Sequence, residues 1–298
     1  YSPDEGWFAY ILKGGPGTGK STLMKRAAHD FDELGTAVEL IHCSSDPESL
    51  DAVIFPQLKA CIVDGTAPHT LDPIYPGVSD TIVNLGECWD STRLRNNHRD
   101  ILDVTRRCSA QHQRSRRYLA ACGALAEDTS RIARSTVNFE KAETFAAHLA
   151  KKKMGAAQGG RGREKVRLLS AISPDGVVNL EHTASLLCSD IILIEDEYDA
   201  VGAFLLDCLR ELARNRGLDV VACYCPMAPL TKLDALLIPQ IGLGFLVSNS
   251  WHPCASLRGC RTIHARRFIQ GESLAAHKQK LSFNRRTQRI LQNEAVEC

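Results

Sequence analysis

The chain has no long hydrophobic run and almost no net charge. No stretch reaches the roughly 18 apolar residues that a membrane-spanning helix needs, so no membrane partner is expected. The formal net charge is +1, which gives no overall attraction to nucleic acid, and we do not expect nucleic acid as a partner. Apolar residues make up 44% and charged residues 24% of the 298 positions, as in ordinary globular proteins. This length predicts two domains.

The cysteines lack any recognisable spacing. There are twelve, with no C-x-x-C pair and no disulfide-scaffold pattern, so we expect reduced, mostly buried thiols. One group near the C-terminal end has the residue types of a zinc site: Cys223, Cys225, Cys254, Cys260, His252 and His264. Without a C-x-x-C pair, buried core thiols are the favoured interpretation of this group.

A glycine-rich stretch near the start fits the phosphate-loop pattern G-x-x-x-x-G-K-[ST] at every fixed position. It consists of Gly14, Gly15, Pro16, Gly17, Thr18, Gly19, Lys20, Ser21 and Thr22. The apolar run 7–12 before it predicts a buried strand, and the apolar spacing in residues 23–34 after it predicts a helix. In that context the loop amides point at phosphate oxygens. We therefore expect these nine residues to bind a nucleoside triphosphate, and the ATP-rich cytoplasm to be the protein's location.

The polar residues of the loop have expected roles in binding Mg-ATP. Lys20 would neutralise the β- and γ-phosphates, and the Ser21 hydroxyl would bind Mg²⁺. Asp64 ends the apolar run 58–63 and has the position of a Walker B aspartate, which holds Mg²⁺ through water. The alternative for Asp64 is a capping or turn aspartate. Lys20 and Asp64 are the candidate catalytic residues, but no glutamate follows Asp64, so we expect slow hydrolysis.

A second strand is predicted over residues 38–43, and a turn at residues 44–47 follows it. Pro47 predicts the opening of a short helix that continues through residues 50–54. His42 and Asp46 come at the carboxyl end of the second strand, where α/β sheets form their ligand crevice. In a kinase, Asp46 would be a general base for the acceptor, whereas Asp46-Pro47 is also an ordinary capping turn.

Residues 87–154 have a different composition, with almost no glycine or proline. Apolar residues recur seven apart, which predicts a long helix, and a second helix is predicted over about 137–153, folded back on the first as a hairpin. Eight arginines lie between Arg93 and Arg117. They could supply an arginine finger, a lid or a nucleic-acid surface, but the solvated face of a hairpin is the favoured interpretation.

The second half of the chain resembles the first. Residues 34–43 align with 216–225, and the triplet Leu-Asp-Ala recurs at 50–52 and 233–235. Three more pairs keep the same order: Pro47 with Pro229, Pro56-Gln57 with Pro239-Gln240, and His69 with His252. In this alignment residues 13–22 face residues 195–204, which carry four acids and no lysine, and Asp64 faces Val247. We expect this second copy not to bind nucleotide, since its acids would repel a triphosphate.

These segments predict five regions. They are a nucleotide-binding domain (1–86, its N-terminus expected to be truncated), a helical hairpin (87–154), a flexible basic Gly-rich linker (155–165), a degenerate P-loop-like domain (166–270) and a C-terminal helix (271–298).

The phosphate loop and the segments 42–51 and 64–69 resemble a family of bacterial tandem P-loop proteins, known mainly as uncharacterised ATPases or nucleotide-kinase-related proteins. The resemblance covers nearly the whole chain. It implies an α/β fold of three-layer α/β/α P-loop NTPase type in two tandem repeats, here with a helical hairpin inserted. It offers no substrate.

The expected function is therefore Mg-ATP binding with slow hydrolysis, in a nucleotide-dependent switch. One alternative is a small-molecule or nucleotide kinase with ATP as the phosphoryl donor. Another is a non-catalytic, nucleotide-gated module that binds a protein partner through the hairpin or the degenerate copy.

Overall fold

The computed structural model describes residues 3–67, 70–157, 159–229, 231–254, 257 and 259–298. The chain forms two compact units, a first unit of residues 1–109 and a second unit of residues 110–298. Both are mixed α/β. In the described part of the chain, no helix combines the length and the apolar character that a membrane span requires.

The first unit is built around a five-stranded sheet. Its strands are β1 (Phe8–Lys13), β2 (Glu39–His42), β3 (Leu50–Phe55), β4 (Ala60–Asp64) and β5 (Asp80–Asn84), and its helices are α1 (Lys20–Glu33), α2 (Ser91–Asn96) and the first part of α3 (His98–Arg134). The strand order is β2-β3-β4-β1-β5. Strand β1 lies parallel to both β4 and β5, whereas β3 is antiparallel to β4 and to β2.

The predicted strand–loop–helix is confirmed, because β1 leads directly through the glycine-rich loop into α1. Helix α1 packs on one face of the sheet, where Met24 joins Leu12, Val53 and Phe55 in a buried cluster. The other face has its own cluster, which includes Ile54. Because β1 and β4 are parallel, their carboxyl ends meet at one edge, with Leu12 in register with Asp64.

The predicted short helix over residues 50–54 is wrong, because these residues form strand β3. The turn that contains Pro47 closes a β2–β3 hairpin instead, with a register shift between Ile41 and His42. Val53 and Phe55 are buried on the α1 face, and Ile54 is buried on the other. A run of six mainly apolar residues does not reveal its period, and burial on both faces decides for the strand.

The second unit contains a six-stranded sheet and a separate hairpin. Its elements are α4 (Phe139–Lys153), β6 (Glu164–Arg167), β7 (Ser170–Ser173), β8 (Gly176–Asn179), α5 (His182–Leu187), β9 (Asp190–Glu195), α6 (Gly202–Arg214), β10 (Val220–Tyr224), β11 (Leu233–Ile238), β12 (Leu243–Ser248), β13 (Arg261–His264), α7 (Gly271–Ala275) and α8 (Lys278–Val296). Helices α4 and α6 share one hydrophobic core against the sheet, and Ala184 of α5 lies in the cluster on the other face.

The two sheets share an order of strands and directions. The order β13-β9-β12-β11-β10 repeats β5-β1-β4-β3-β2, and β6 is added at one edge of the second sheet. Small irregularities recur as well. The Gln57 side chain accepts a hydrogen bond from Ala37 N at 2.7 Å, and Gln240 accepts one from Asp219 N at 2.8 Å.

The helical prediction for residues 87–154 is met by α2, α3 and α4, but α4 is not part of a separate hairpin. Its alanines 142, 146 and 150 are fully buried in the core of the second unit, and α4 packs against α6.

Part of the predicted flexible linker is held by contacts with the second unit. Arg161 forms an ion pair with Glu211 at 2.6 Å, and Gly162 N donates to Arg214 O, because this segment leads into β6. The predicted C-terminal helix is present as α7 and α8.

Candidate functional site

The glycine-rich loop joins the carboxyl end of β1 to the first turn of α1. Gly17 and Gly19 have φ values of +77° and +85°, which a side chain at Cβ would disfavour. The Thr18 hydroxyl donates to Gly15 O at 2.8 Å and ties the loop to itself. These conformations let the chain turn sharply into the helix, which is why glycine is needed here.

The N-cap residue of α1 is Gly19, which has no side chain that could cap the first turn. The first N–H groups of a helix have no partner within the helix, and they carry the positive end of its dipole. An uncapped first turn next to a curled loop is therefore suited to an anion.

Lys20 lies folded over this loop. Its ammonium donates to Gly14 O at 2.8 Å and to Gly15 O at 3.0 Å, and it is 3.6 Å from Asp64 Oδ2. The Lys20 side chain is 12% exposed and that of Asp64 is 23% exposed. The Lys20 ammonium and the Asp64 carboxylate thus lie together beside the first turn of α1. The ammonium donates its hydrogen bonds to neutral carbonyl oxygens.

Ser21 and Asp64 both take part in local hydrogen bonds. The Ser21 hydroxyl accepts from Leu50 N at 3.0 Å, which fixes the start of β3 against α1. Asp64 Oδ1 accepts from Thr66 N at 2.9 Å and also from the Thr66 hydroxyl. Asp64 therefore has the position predicted for a Walker B aspartate and also forms the turn that was the alternative for it.

His42 and Asp46 lie at the same edge of the sheet as the loop, because β2 runs in the direction of β1. Both oxygens of Asp46 are engaged, one with Glu48 N at 3.2 Å and the other with the Ser49 hydroxyl at 2.6 Å. His42 Nδ1 lies 2.8 Å from Pro47 O. The side chain of Asp46 is exposed, and its contacts are those of a turn-capping residue.

The predicted arginine cluster is exposed wherever it falls in the first unit: Arg93, Arg95, Arg99, Arg106 and Arg107. This exposure matches the solvated face that was favoured for them. His69, which the internal alignment pairs with His252, lies outside the described residues.

Comparisons of the chain with protein-family models, with curated proteins and with solved structures each find no match.

The corresponding position in the second unit is filled by the protein itself. Asp196 follows β9 and is 1% exposed. Its Oδ2 accepts from Val201 N and from Gly202 N, both at 2.7 Å, at the first turn of α6. A Cβ on Gly202 would lie 2.8 Å from Val247 Cγ2, so a side chain would be overpacked where the alignment places the counterpart of Lys20. The acids here do more than repel a phosphate. The Asp196 carboxylate accepts the hydrogen bonds that a bound anion would accept at the first turn of α6.

A polar cluster that the sequence did not predict lies close by in the second unit. Lys232 forms ion pairs with Asp199 at 3.0 Å and with Asp234 at 3.3 Å. His252 Nε2 lies 3.6 Å from Asp234 Oδ2 and 3.9 Å from Cys225 Sγ. Of these, Cys225 and His252 belonged to the group considered for zinc. Asp234 stood in the repeated Leu-Asp-Ala triplet, the one signal that could have identified it.

Burial governs the charges of this cluster. Burial works against the charged form of Lys232, but Asp199 and Asp234 outweigh it and hold the Lys232 pKa above its ordinary value. Burial raises the pKa of the Cys225 thiol to about 11, and it lowers the pKa of His252 despite the nearby Asp234 carboxylate. The cluster therefore holds a charged lysine beside a neutral imidazole and a protonated thiol.

Proposed function

We propose that the protein binds Mg-ATP at residues 14–22 and hydrolyses it slowly, as a nucleotide-dependent switch. One observation carries the proposal. The first turn of α1, whose N-cap is Gly19, contains Lys20, and the Lys20 ammonium lies 3.6 Å from Asp64 Oδ2. A phosphate at this position would accept hydrogen bonds from the first-turn amides and from the Lys20 ammonium. Lys20 would exchange two neutral carbonyl acceptors for charged oxygens, which form stronger hydrogen bonds.

The amides of the loop, its polar side chains and Asp64 then have separate roles. The amides of residues 17–22 hold the β-phosphate, and Lys20 neutralises phosphate charge. The Ser21 hydroxyl accepts one hydrogen bond from Leu50 N, and it keeps a second lone pair for Mg²⁺. Asp64 Oδ2, the oxygen nearer to Lys20, holds the Mg²⁺ ion through water while Oδ1 stays with Thr66.

Slow turnover follows from the residues after Asp64. The chain continues with Gly65 and Thr66 where many ATPases place a base that activates water. We expect a rate constant below about 1 s⁻¹, the low end of ordinary enzyme rates.

The experiment is calorimetric titration of a non-hydrolysable ATP analogue with Mg²⁺. Lys20→Ala should abolish measurable binding, because it removes the only side-chain cation that contacts the loop among the described residues. Lys25→Ala is the matched control, since Lys25 is exposed on the same helix and should leave the affinity unchanged. Equal affinities for wild type and Lys20→Ala would overturn the proposal.

We further propose that the two units are tandem P-loop repeats, the second of which has lost nucleotide binding, and that the protein acts in the cytoplasm. The shared strand order supports the repeat, and the Asp196 carboxylate at the first turn of α6 supports the loss.

A kinase is the second candidate, because Asp46 is exposed at the same edge of the sheet as the loop. ATP turnover that rises sharply with one compound from a metabolite panel, and falls back in Asp46→Ala, would favour it. The contacts of Asp46 with Glu48 and Ser49 favour the switch instead.

A partner surface is available to a switch in the first unit. The first part of α3 exposes Ile101, Leu102 and Val104, and Leu94 of α2 is exposed as well. We expect ATP to change the protease protection of residues 91–109, and unchanged protection would count against a nucleotide-gated partner site here.

A further inference from the structure

We propose that Cys225, Asp234 and His252 of the second unit form a binding site for a transition-metal dication of the zinc type. One ligand atom from each residue lies within 4.8 Å of the other two. The site is separate from the phosphate loop of the first unit and does not depend on nucleotide binding.

The distance between His252 and Asp234 suits two metal ligands better than a hydrogen bond. His252 Nε2 is 3.6 Å from Asp234 Oδ2 and 3.9 Å from Cys225 Sγ. A nitrogen–oxygen hydrogen bond is about 2.7 to 3.2 Å long. Ligands of a tetrahedral zinc ion, with bonds of about 2.0 to 2.3 Å, stand about 3.3 to 3.7 Å from one another. The distance from His252 Nε2 to Asp234 Oδ2 lies in that range, and the distance from His252 Nε2 to Cys225 Sγ is slightly longer.

The arrangement is convergent and does not form a relay. In a cysteine–histidine nucleophile with an orienting acid, thiol and carboxylate face different nitrogens of the ring. Here Cys225 and Asp234 both approach Nε2 of His252, and Nδ1 has no hydrogen-bond partner among the described residues. Three ligand atoms from different residues that lie close to one another are typical of a coordination site.

The two carboxylates and one ammonium of the cluster also favour the binding of a cation. Asp199 and Asp234 share the single ammonium of Lys232, and neither oxygen of Asp234 has a hydrogen-bond partner within the described chain. Lys232 approaches Oδ1 of Asp234, whereas His252 approaches Oδ2. With Lys232 paired to Asp199, a dication bound by the Cys225 thiolate and Asp234 Oδ2 makes the cluster neutral.

The backbone holds the three ligands in place before a metal arrives. Cys225 follows β10, and its N–H donates to Lys232 O at 2.9 Å, next to Asp234 in the adjacent strand β11. His252 lies in the loop after β12, where Asn249 Oδ1 accepts from Trp251 N and His252 N. Three protein ligands leave a fourth position open, as in zinc sites that bind water or a substrate. Thiolate and imidazole donors select zinc over magnesium or calcium.

The test uses the full chain, stripped of metal and any affinity tag, and titrated with Zn²⁺ and with Co²⁺. We expect one tightly bound equivalent and, with Co²⁺, a thiolate-to-metal charge-transfer band. Cys225→Ser should remove that band, and Asp234→Asn and His252→Ala should each weaken binding at least about tenfold. His252→Cys supplies another zinc ligand and should retain the metal.

Two controls separate this site from adventitious binding by other thiols. Cys223→Ser changes a buried thiol of β10, and Cys108→Ser changes an exposed one, and neither should alter the stoichiometry. Circular dichroism shows whether each variant is folded. No bound equivalent in the folded wild type, or a charge-transfer band that survives in folded Cys225→Ser, would overturn the proposal. Lys20→Ala should bind the metal normally, so this result is independent of the nucleotide assignment.

Discussion

Helices α1 and α6 follow strands with the same place in their sheets, yet their first turns differ. The first turn of α1 has Gly19 as its N-cap, no other side chain among the described residues accepts from its amides, and it contains Lys20, whose ammonium folds back over the loop. The first turn of α6 is capped by the buried carboxylate of Asp196. The same backbone layout therefore supports either an open anion position or one that the protein fills itself, and the side chain just after the strand distinguishes the two.

The neighbouring pair of positions differs in the same sense. In the first unit Lys20 and Asp64 form an ion pair at 3.6 Å with partial exposure. In the second unit the aligned residues are Gly202 and Val247, which are buried and closely packed. Because a Cβ at position 202 would lie 2.8 Å from Val247 Cγ2, a lysine placed there would require the strand or the helix to move.

The largest effect is expected from removing the built-in anion. Asp196→Ala leaves two buried amides of α6 without an acceptor, and we expect it to destabilise the second unit by about 3 kcal/mol. Hydrogen exchange in residues 202–214 measures this. Glu197→Gln is the control, because Glu197 is exposed and its ion pair with Arg285 should contribute at most about 1 kcal/mol. Equal exchange in both variants would show that Asp196 is not the cap that holds α6.

A smaller effect is expected where the two units differ in packing. Gly202→Ala places a methyl group 2.8 Å from Val247 Cγ2, and overpacking of this kind should cost about 2 kcal/mol. Gly271 also begins a helix, but a Cβ there has no neighbour within 4 Å among the described residues. Thermal unfolding should therefore separate Gly202→Ala from Gly271→Ala. Similar midpoints for the two variants would argue against close packing at Gly202.

The smallest effect on stability is expected at Ser21. Ser21→Ala removes the acceptor for Leu50 N, which should cost about 1 kcal/mol in urea unfolding. The same change should abolish the contribution of Mg²⁺ to ATP affinity, because the hydroxyl is the proposed ligand. Thr22→Ala, at an exposed neighbouring position, should change neither quantity by much. An unchanged Mg²⁺ dependence in Ser21→Ala would remove Ser21 from the metal site.

Features that depend on short-range patterns could be predicted from the sequence. The glycine loop between a buried strand and an amphipathic helix is visible at residues 7–34, because loop conformation and helix periodicity are local properties. The long helix and the C-terminal helix were predictable for the same reason. The aligned segments 34–43 and 216–225 contain strands β2 and β10, which have corresponding places in the two strand orders.

The residues that contact each other across the sheet could be identified only from the fold. Residues 50–54 look helical after Pro47, but pairing with β2 and β4 makes them a strand. The Asp196 cap depends on how the chain turns back on itself, and the meeting of Cys225 with Asp234 and His252 depends on strand pairing. Burial then sets what these groups do, since a carboxylate or ammonium removed from water must find a partner. Neither spacing nor composition records that partner, because it comes from residues distant in the chain.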